Sequence, residues 1–521
     1  MMIQKVISNI LIIVSVFFSL QLVSQPVNVK ISSVTGNNEP SICINPLNPK
    51  EIVVGTNLKS VYRSKDGGKT WVSGRMNSSF GVHGDPVIAC DTAGDFYFFH
   101  LSNPPFGTWI DRMVCQKSND AGKTWNDGSA VGKNGTKAQD KEWVSIDPKT
   151  NTIYMTWTQF DAYGTRDDTL YSNIMFSKSE DAGATWKTPV EINEVSGDCI
   201  DSSLTTEGAV PAVGPNGEVY VSWAGPAGLV FDKSVDGGKT WLKNDILIDS
   251  MLAGWNYNVP GLNRCNGLPV TVCDLSSGPN NGTIYVNWTD QRNGTDDTDV
   301  WFKKSDDGGK TWSTIKRVND DTTKTQQFLT WMTIDQSTGF LYFIWYDRRN
   351  YTDYNTDVYM AVSYDGGETF VNGILSEKPF NPSQAVFFGD YTNISAVNGN
   401  VRPIWTSMDN DKTDIWTALY TEQNTSVAKQ DNFNWAVDSY PNPFQAEVNI
   451  TFNLNKNQKV KIGLYDMSGA RIGWILKNKK LKMGEQKITF KAVDYDLKPG
   501  TYIYLIESED VTVRKRIVFA P

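Results

Sequence analysis

The sequence predicts an all-β protein, with seven four-stranded antiparallel units closed into a β-propeller and a small C-terminal β-sandwich after them. Three observations point there. An eight-residue phrase, SKDGGKTW at Ser64–Trp71, returns five times: SNDAGKTW (Ser118–Trp125), SEDAGATW (Ser179–Trp186), SVDGGKTW (Ser234–Trp241), SDDGGKTW (Ser305–Trp312) and SYDGGETF (Ser363–Phe370). Self-similarity at spacings of 54 to 71 residues means an array of one supersecondary unit. Between the phrases, short alternating apolar runs are separated by Gly-rich turns. The composition agrees, with 12% aromatic residues including 18 Trp, 42 Gly and only 21% charged residues.

Each unit is legible as four strands. Ahead of the fourth phrase, AVPAVGPNGEVYVSW (Ala209–Trp223) reads as a strand, a turn and an alternating strand, and GLVFDKS leads into the phrase as a third. A fourth strand follows the closing Trp. The same order of signals occurs at VIACDTAGDFYFFH, VSIDPKTNTIYMTW, VTVCDLSSGPNNGTIYVNW and MTIDQSTGFLYFIW. First strands are expected near Ser41, Pro86, Trp143, Ala209, Leu268, Leu329 and Tyr391, which gives seven starts against six phrases. The seventh unit, YTNISAVNGNVRPIWTSM and then DIWTALYT, lacks the phrase and a fourth strand. VNVKISSV (Val27–Val34) is expected to supply that strand, so that both chain ends close the ring and no edge stays open.

Within the phrase, the third-place Asp is expected to accept hydrogen bonds from backbone amides two residues on, and the fifth-place Gly to supply a positive φ. Thr and the closing aromatic begin the next strand, the aromatic facing inward. The phrase resembles the Asp-box, or BNR repeat, of the sialidase superfamily and related β-propellers. That resemblance implies a propeller in which the box is a structural turn, and it brings in a six-bladed ring, the sialidase number, as the alternative to seven.

The ends of the chain differ from its middle. Lys5 precedes an apolar run from Ile7 to Val23 that gives way to Ser24, Gln25 and Pro26, the pattern of a cleaved signal peptide over residues 1–24. The propeller is placed at 25–425, a polar linker at 426–437 and the sandwich at 438–521. No stable membrane span is expected. Six cysteines suit an exported protein, with three disulfides allowed and Cys265 with Cys273 as the local candidate. With two histidines and no CxxC, no metal site of the zinc type and no cofactor are expected; structural calcium in the Asp-rich loops is the lesser alternative. Residues 438–521 carry a balance of +5, which leaves −14 for the rest. An acidic main domain argues against a nucleic-acid partner.

If the phrases are third-to-fourth turns, they lie on one face with the first-to-second turns, and the opposite face carries the variable loops. Function sits more often on such loops. Residues leading into the first strands bring Asp85, Asp140, Glu142, Glu207, Asp390 and Tyr391 toward the channel mouth, with Trp143 beside them. The second-to-third loops add Arg292, Arg348 and Arg349. Carboxylates, arginines and aromatics together suit a sugar, which stacks on the rings and hydrogen-bonds to the charges. The expected catalytic set is Tyr391, Glu142, Glu207, Asp85 and Asp140; the expected substrate-binding set is Arg292, Arg348, Arg349, Trp143 and Asp390. A repeat-encoded arginine has a competing role as a strut between neighbouring units.

The tail reads SYPNPF (Ser439–Phe444), VNITFNL, VKIGLYDMSGARI, GEQKITF, LKPGTYIYLIESED and VTVRKRIVF. This order of phrases resembles the type A sorting domain of the type IX secretion system, which implies export across the outer membrane to the surface or beyond, with the type IX machinery as a partner. The functional expectation is a secreted or cell-surface, sialidase-like propeller acting on a glycan or glycoprotein, with glycoside hydrolysis at the face opposite the phrases. The Arg-Ile-Pro segment of sialidases is absent, and the alternative is a non-catalytic propeller that binds glycan or protein there.

Overall fold

The computed structural model describes residues 26–32, 36–422, 437–454, 456–466, 471–508 and 512–521. The expected signal segment and the expected linker up to residue 436 lie outside them. Two compact units divide at Thr421 and Glu422. Both are all-β, and the single helical element described is a 3-10 turn at Ala492–Tyr495.

The first unit is a succession of four-stranded antiparallel sheets, numbered here in chain order. Sheet 1 holds Ser41–Ile44, Ile52–Thr56, Ser60–Ser64 and Val72–Arg75, and sheet 2 holds Gly84–Cys90, Phe96–Leu101, Met113–Ser118 and Ser129–Val131. Sheets 3 to 6 repeat the order, with first strands Ala138–Ile146, Glu207–Val213, Val270–Cys273 and Gln327–Asp335. Sheet 7 takes Asn393–Val397, Asn400–Asp409 and Lys412–Thr421, and its fourth strand is Val27–Lys30, paired with Val27 opposite Leu419 and Lys30 opposite Trp416. Each first strand lies beside the first strand of the next sheet, and that of sheet 7 lies beside that of sheet 1. All seven surround one central cavity of about 370 Å³.

Sheets stacked face to face bury both surfaces of their middle strands, so these read as continuous apolar runs. IYMTWTQF (Ile153–Phe160) and FLYFIWYD (Phe340–Asp347) are of this kind. The Trp at one repeated place in the second strands, Trp157, Trp223, Trp288, Trp345 and Trp405, is fully buried each time. In sheet 2 that place is His100, which is also buried, with its ring held by the Leu101 carbonyl and Gln116.

The repeated phrase forms the same turn six times. In the third copy Ser179 Oγ donates to Asp181 and accepts from Gly183 N, while Asp181 accepts from Thr185 N (2.8 Å) and the Thr185 hydroxyl (2.5 Å). The amides that bind the Asp are three and four residues on rather than two, as Lys69 and Thr70 show in the first copy. The fifth-place Gly has φ between 76° and 92° in every copy. It is also where the preceding sheet comes closest: a Cβ on Gly309 would lie 2.2 Å from the Phe231 ring, and one on Gly367 2.3 Å from the Phe302 ring. The fourth place also has positive φ, but at Gly67, Gly237 and Gly308 a Cβ would meet nothing nearer than 3.6 Å, and Ala121 and Ala182 occupy it in two copies; only at Gly366 does a neighbour, Asn280, come close. The closing aromatics pack edge-to-face on the same phenylalanines, Trp312 on Phe231 and Phe370 on Phe302.

The six cysteines carry free thiols, Cys265 and Cys273 included. Cys265 belongs to a short hairpin with Asn256–Tyr257, whereas Cys273 ends the first strand of sheet 5.

In the second unit, Asp438–Tyr440, Glu447–Leu454 and Gly484–Lys491 form one sheet, and Arg471–Leu481, Gln458–Tyr465, Gly500–Glu507 and Thr512–Phe519 form another. Phe444, Ile450, Phe452, Ile462, Tyr504 and Ile517 belong to their common core.

The turn geometry separates two neighbouring glycines. Gly309→Ala is expected to cost about 2–4 kcal/mol, from the left-handed backbone and the clash with Phe231 together. Gly308→Ala should cost about 1 kcal/mol or less. Urea unfolding followed by Trp fluorescence checks this; equal costs would show that the approach of Phe231 does not matter.

Candidate functional site

The first strands open with an irregularity that recurs from sheet to sheet. The pairing skips two residues between Gly84 and Val87, Asp140 and Trp143, Glu207 and Val210, and Phe328 and Trp331. Inside each bulge one residue is left-handed: Asp85 (φ 48°), Lys141 (φ 52°), Gly208 (φ 77°) and Leu329 (φ 51°), with Glu39 (φ 49°) just ahead of sheet 1. Bulges re-aim side chains at sheet ends, and non-Gly residues in this region carry strain that the surroundings must hold. At this end of the channel the bulges turn the side chains of Glu39, Asp85 and Lys141 toward one another.

Lys141 is the centre of the arrangement. Its Nζ lies 2.6 Å from Asp390 Oδ2, 2.9 Å from Asp85 Oδ2 and 3.7 Å from Glu39 Oε1. Asn57 donates to Glu39 Oε2 and accepts from Asp85 N (3.1 Å). Arg264 clasps Asp390 with Nε and Nη2 and reaches Asp201 with Nη1 (2.9 Å), its guanidinium over the Phe387 ring. Asp201 also accepts from Trp255 Nε1 (2.7 Å) and the Tyr163 hydroxyl (3.2 Å). Trp255 fills the space a side chain on Gly208 would need, with its ring 2.5 Å from where a Cβ would be. Below this layer Trp143 packs on Trp331 (4.2 Å) and Tyr391 (5.0 Å) and stoppers the channel.

Burial and charge shift these groups in opposite directions. Burial alone would push Asp390 up, but Arg264 and Lys141 hold it well below the usual carboxylate range. Lys141 would lose basicity by burial and gains more from Asp390, Asp85 and Glu39. The carboxyls that no cation reaches behave otherwise. Burial, with Asp85 as the nearest charge, raises Glu142 well above the ordinary value; burial with Asp201 and Asp140 raises Glu207. Burial pushes Asp140 up to about 7 despite Lys141. Glu142 is 1% exposed and neither carboxyl oxygen has a hydrogen-bond partner in another residue; the Tyr391 hydroxyl, in a side chain 2% exposed, has none either. Buried polar atoms without partners are uncommon and mark places with another task.

Of the expected residues, Asp85, Asp140, Glu142, Glu207, Asp390 and Tyr391 come together at this end. Trp143 is there too, but it is buried and closes the channel rather than offering a ring face. The three arginines are engaged elsewhere. Arg292 is bound to Asp290 and Asp249 and stacked on Trp301. Arg349 occupies the corresponding place in sheet 6, bound to Asp347 and Asp320. Arg348 is buried and donates to Pro260 O and Thr356 Oγ1. Arg292 and Arg349 act as struts because the Trp-x-Asp-x-Arg spacing sets each guanidinium on its own sheet's Asp, whereas Arg348, one residue off that spacing, is held by a carbonyl and a hydroxyl. The cations that do reach the site are Lys141 and Arg264. Arg264 comes from the Asn256–Asn266 hairpin, an insertion with no counterpart in the repeat grammar. Around the rim, Trp109 (44% exposed) donates to His83 Nε2 (2.7 Å) and packs on Tyr163. Among the described residues no group of three His, Cys, Asp or Glu side chains is arranged to hold a metal ion.

Residues 438–520 match the family described as the secretion system C-terminal sorting domain. The protein is therefore one exported by type IX secretion to the cell surface or beyond, and no helix among the described residues is long and apolar enough to cross a membrane. No curated protein matches the chain. Among solved structures it is similar to an ulvan lyase of a polysaccharide lyase family (13% identity, 76% of this chain and 96% of the other, TM-score 0.48). It is also similar to a Hadza microbial sialidase (15%, 71% and 73%, TM-score 0.41) and to the NanB sialidase from Streptococcus pneumoniae (9%, 75% and 85%, TM-score 0.44).

Replacing Lys141 isolates the role of its charge. Lys141→Met leaves Asp85 and Asp390 facing each other and Glu39 without the ammonium between them, and should cost about 3–5 kcal/mol at pH 8. The loss should shrink as the pH falls and those carboxyls take up protons. A loss below about 1 kcal/mol in urea, or one independent of pH, would mean that the ammonium does not hold this end together.

Proposed function

We propose that the protein is an exported seven-bladed β-propeller, with its tail folded as a sorting β-sandwich, that takes a glycan at the Lys141 end of the channel and cleaves it there. The observation that carries this reading is the cluster of buried groups without partners at one end of the ring, both oxygens of the Glu142 carboxyl, Glu207 Oε2 and the Tyr391 hydroxyl. Glycoside cleavage needs a group that protonates the leaving oxygen and a nucleophile or base on the other side of the sugar. Asp140, still protonated in part near neutrality, is a suitable acid at the rim. Tyr391 is too weak an acid to ionise alone in this environment, so it needs Glu142 or Glu207 to take its proton as it attacks, and because burial holds both carboxyls in the proton-bearing form, one of them must first release its own proton to solvent. Asp85 and Asp390 hold Lys141, and through it the geometry of the bulges.

A second reading has its own support. Glu142, Glu207 and Tyr391 are sealed under the Lys141 and Arg264 layer, which suits a propeller that binds a glycan or protein at the rim without cleaving it.

Turnover of aryl glycosides and oligosaccharides separates the two. In the cleaving reading, Glu142→Gln, Glu207→Gln and Tyr391→Phe each lower kcat by about 100-fold or more. If all three keep wild-type turnover, this centre is not the catalyst; if the wild type binds oligosaccharides and turns over none, the binding reading stands. Independently, removal of residues 438–521 should leave the protein in the periplasm, checked by fractionation, and normal export of the truncated chain would contradict the sorting role.

A further inference from the structure

The channel end that holds Glu142 and Tyr391 has more acid than it can neutralise. Seven carboxyl groups meet there with two cations, and both cations are spent, Lys141 on Asp85 and Asp390 and Arg264 on Asp390 and Asp201. No ion pair reaches Asp140, Glu142 or Glu207 among the described residues, and the two unpartnered oxygens of Glu142 sit within this group. The nearby loops do not restore the balance. Arg112 is held by Asp111 and Lys137 by Asp161, each in its own part of the rim. Arg166 stands exposed on the loop between Phe160 and Ser172, where solvent screens it. The three arginines that would have made a receptor for a carboxylate are struts inside the sheets.

One exposed ring is fixed beside this acidic rim. Trp109 is tethered through its indole N–H to His83 and packed edge-on against Tyr163, whose hydroxyl bonds Asp201. An indole held this way offers an apolar face at little entropic cost, and the neighbouring carboxyls offer acceptors for hydroxyl or ammonium hydrogens.

We propose that the ligand of this end is an uncharged or amino sugar, laid against Trp109 with its hydroxyl or ammonium groups donating to Asp140 and Asp201, and that carboxylated and sulfated sugars are rejected. The inference rests on the glycan reading above and narrows it. Rejection follows from the surplus of carboxylates at this end: Asp85, Asp201 and Asp390 share only Lys141 and Arg264, and Asp140, raised to about 7, adds charge as it loses its proton, so an anionic sugar would bring like charge against them, and specificity of this kind comes from the repulsive element as much as from the attractive one. It also runs against a sialoside as the substrate, because a sialoside carries a carboxylate.

The test is binding of the full-length protein to immobilised oligosaccharides of three charge classes: neutral gluco-, manno- and N-acetylchito-oligosaccharides, chitosan oligosaccharides, and the acidic set of sialyllactose, oligoglucuronate and a sulfated galactan. Binding is expected for members of the first two classes and at least about tenfold weaker for the third, with the gap widening as salt is lowered from about 150 to about 20 mM. Asp140→Asn should narrow the gap, and Trp109→Ala should weaken neutral binding about tenfold or more. Acidic sugars bound as tightly as neutral ones, or a gap unchanged by both salt and Asp140→Asn, would overturn the charge assignment while leaving a glycan-binding protein. Failure of every class to bind would overturn the glycan reading itself, and this inference with it.

Discussion

The ammonium of Lys141 is the charge on which one end of the ring depends. It lies on the first strand of sheet 3 and binds carboxylates that lead into sheets 1 and 7 and one in sheet 2. One buried cation therefore spans the place where the chain's two ends close the ring. Its backbone is left-handed, as are those of Glu39 and Asp85, and the network helps to hold that strained conformation. A buried ion pair is weak evidence for net stability, yet removing one partner is costly, so the arrangement works as a registry device that fixes which side chains share the channel end.

The two faces of the ring are built on different principles. The phrase face is periodic: one Ser, one Asp and one Gly close each turn, and at the fifth-place Gly a side chain of the preceding sheet, a phenylalanine at Gly238, Gly309 and Gly367, crowds the place of a Cβ. It carries no unmet polar demand at its Asp, whose oxygens are satisfied by the Ser and Thr hydroxyls and two amides. The opposite face breaks the repeat at every sheet, with a bulge here, an inserted hairpin there, and Trp143 against Trp331 as a floor.

This division explains what the sequence made legible. The phrases and the alternating runs announce the sheets, because turns and strands are local and repeated. The seven first strands could be counted for the same reason, as could the place left open for Val27–Lys30. Carboxylates at the channel end were visible because they stand at fixed offsets before those strands; Glu39-Pro40 and Asp85-Pro86 share the same place. Lys141 occupies that place as well, but its meaning depends on the bulge register, which sequence alone does not set. Arg264 was not legible at all, since it comes from an insertion that obeys no repeat. The loop arginines misled for the opposite reason: the spacing that makes Arg292 and Arg349 conspicuous is what binds each to Asp290 or Asp347 of its own strand.

The most direct measurement is where a bound oligosaccharide sits in a crystal of the complex. A sugar ring against Trp109, within hydrogen-bond reach of Asp140 and Asp201, is the expected result. The cavity in the middle of the ring, on the phrase side of the Trp143 floor and lined by Ser145, Thr271, Thr333 and Ser395, is the competing location. A sugar seated there, with the Lys141 end untouched, would contradict the assignment of the functional face.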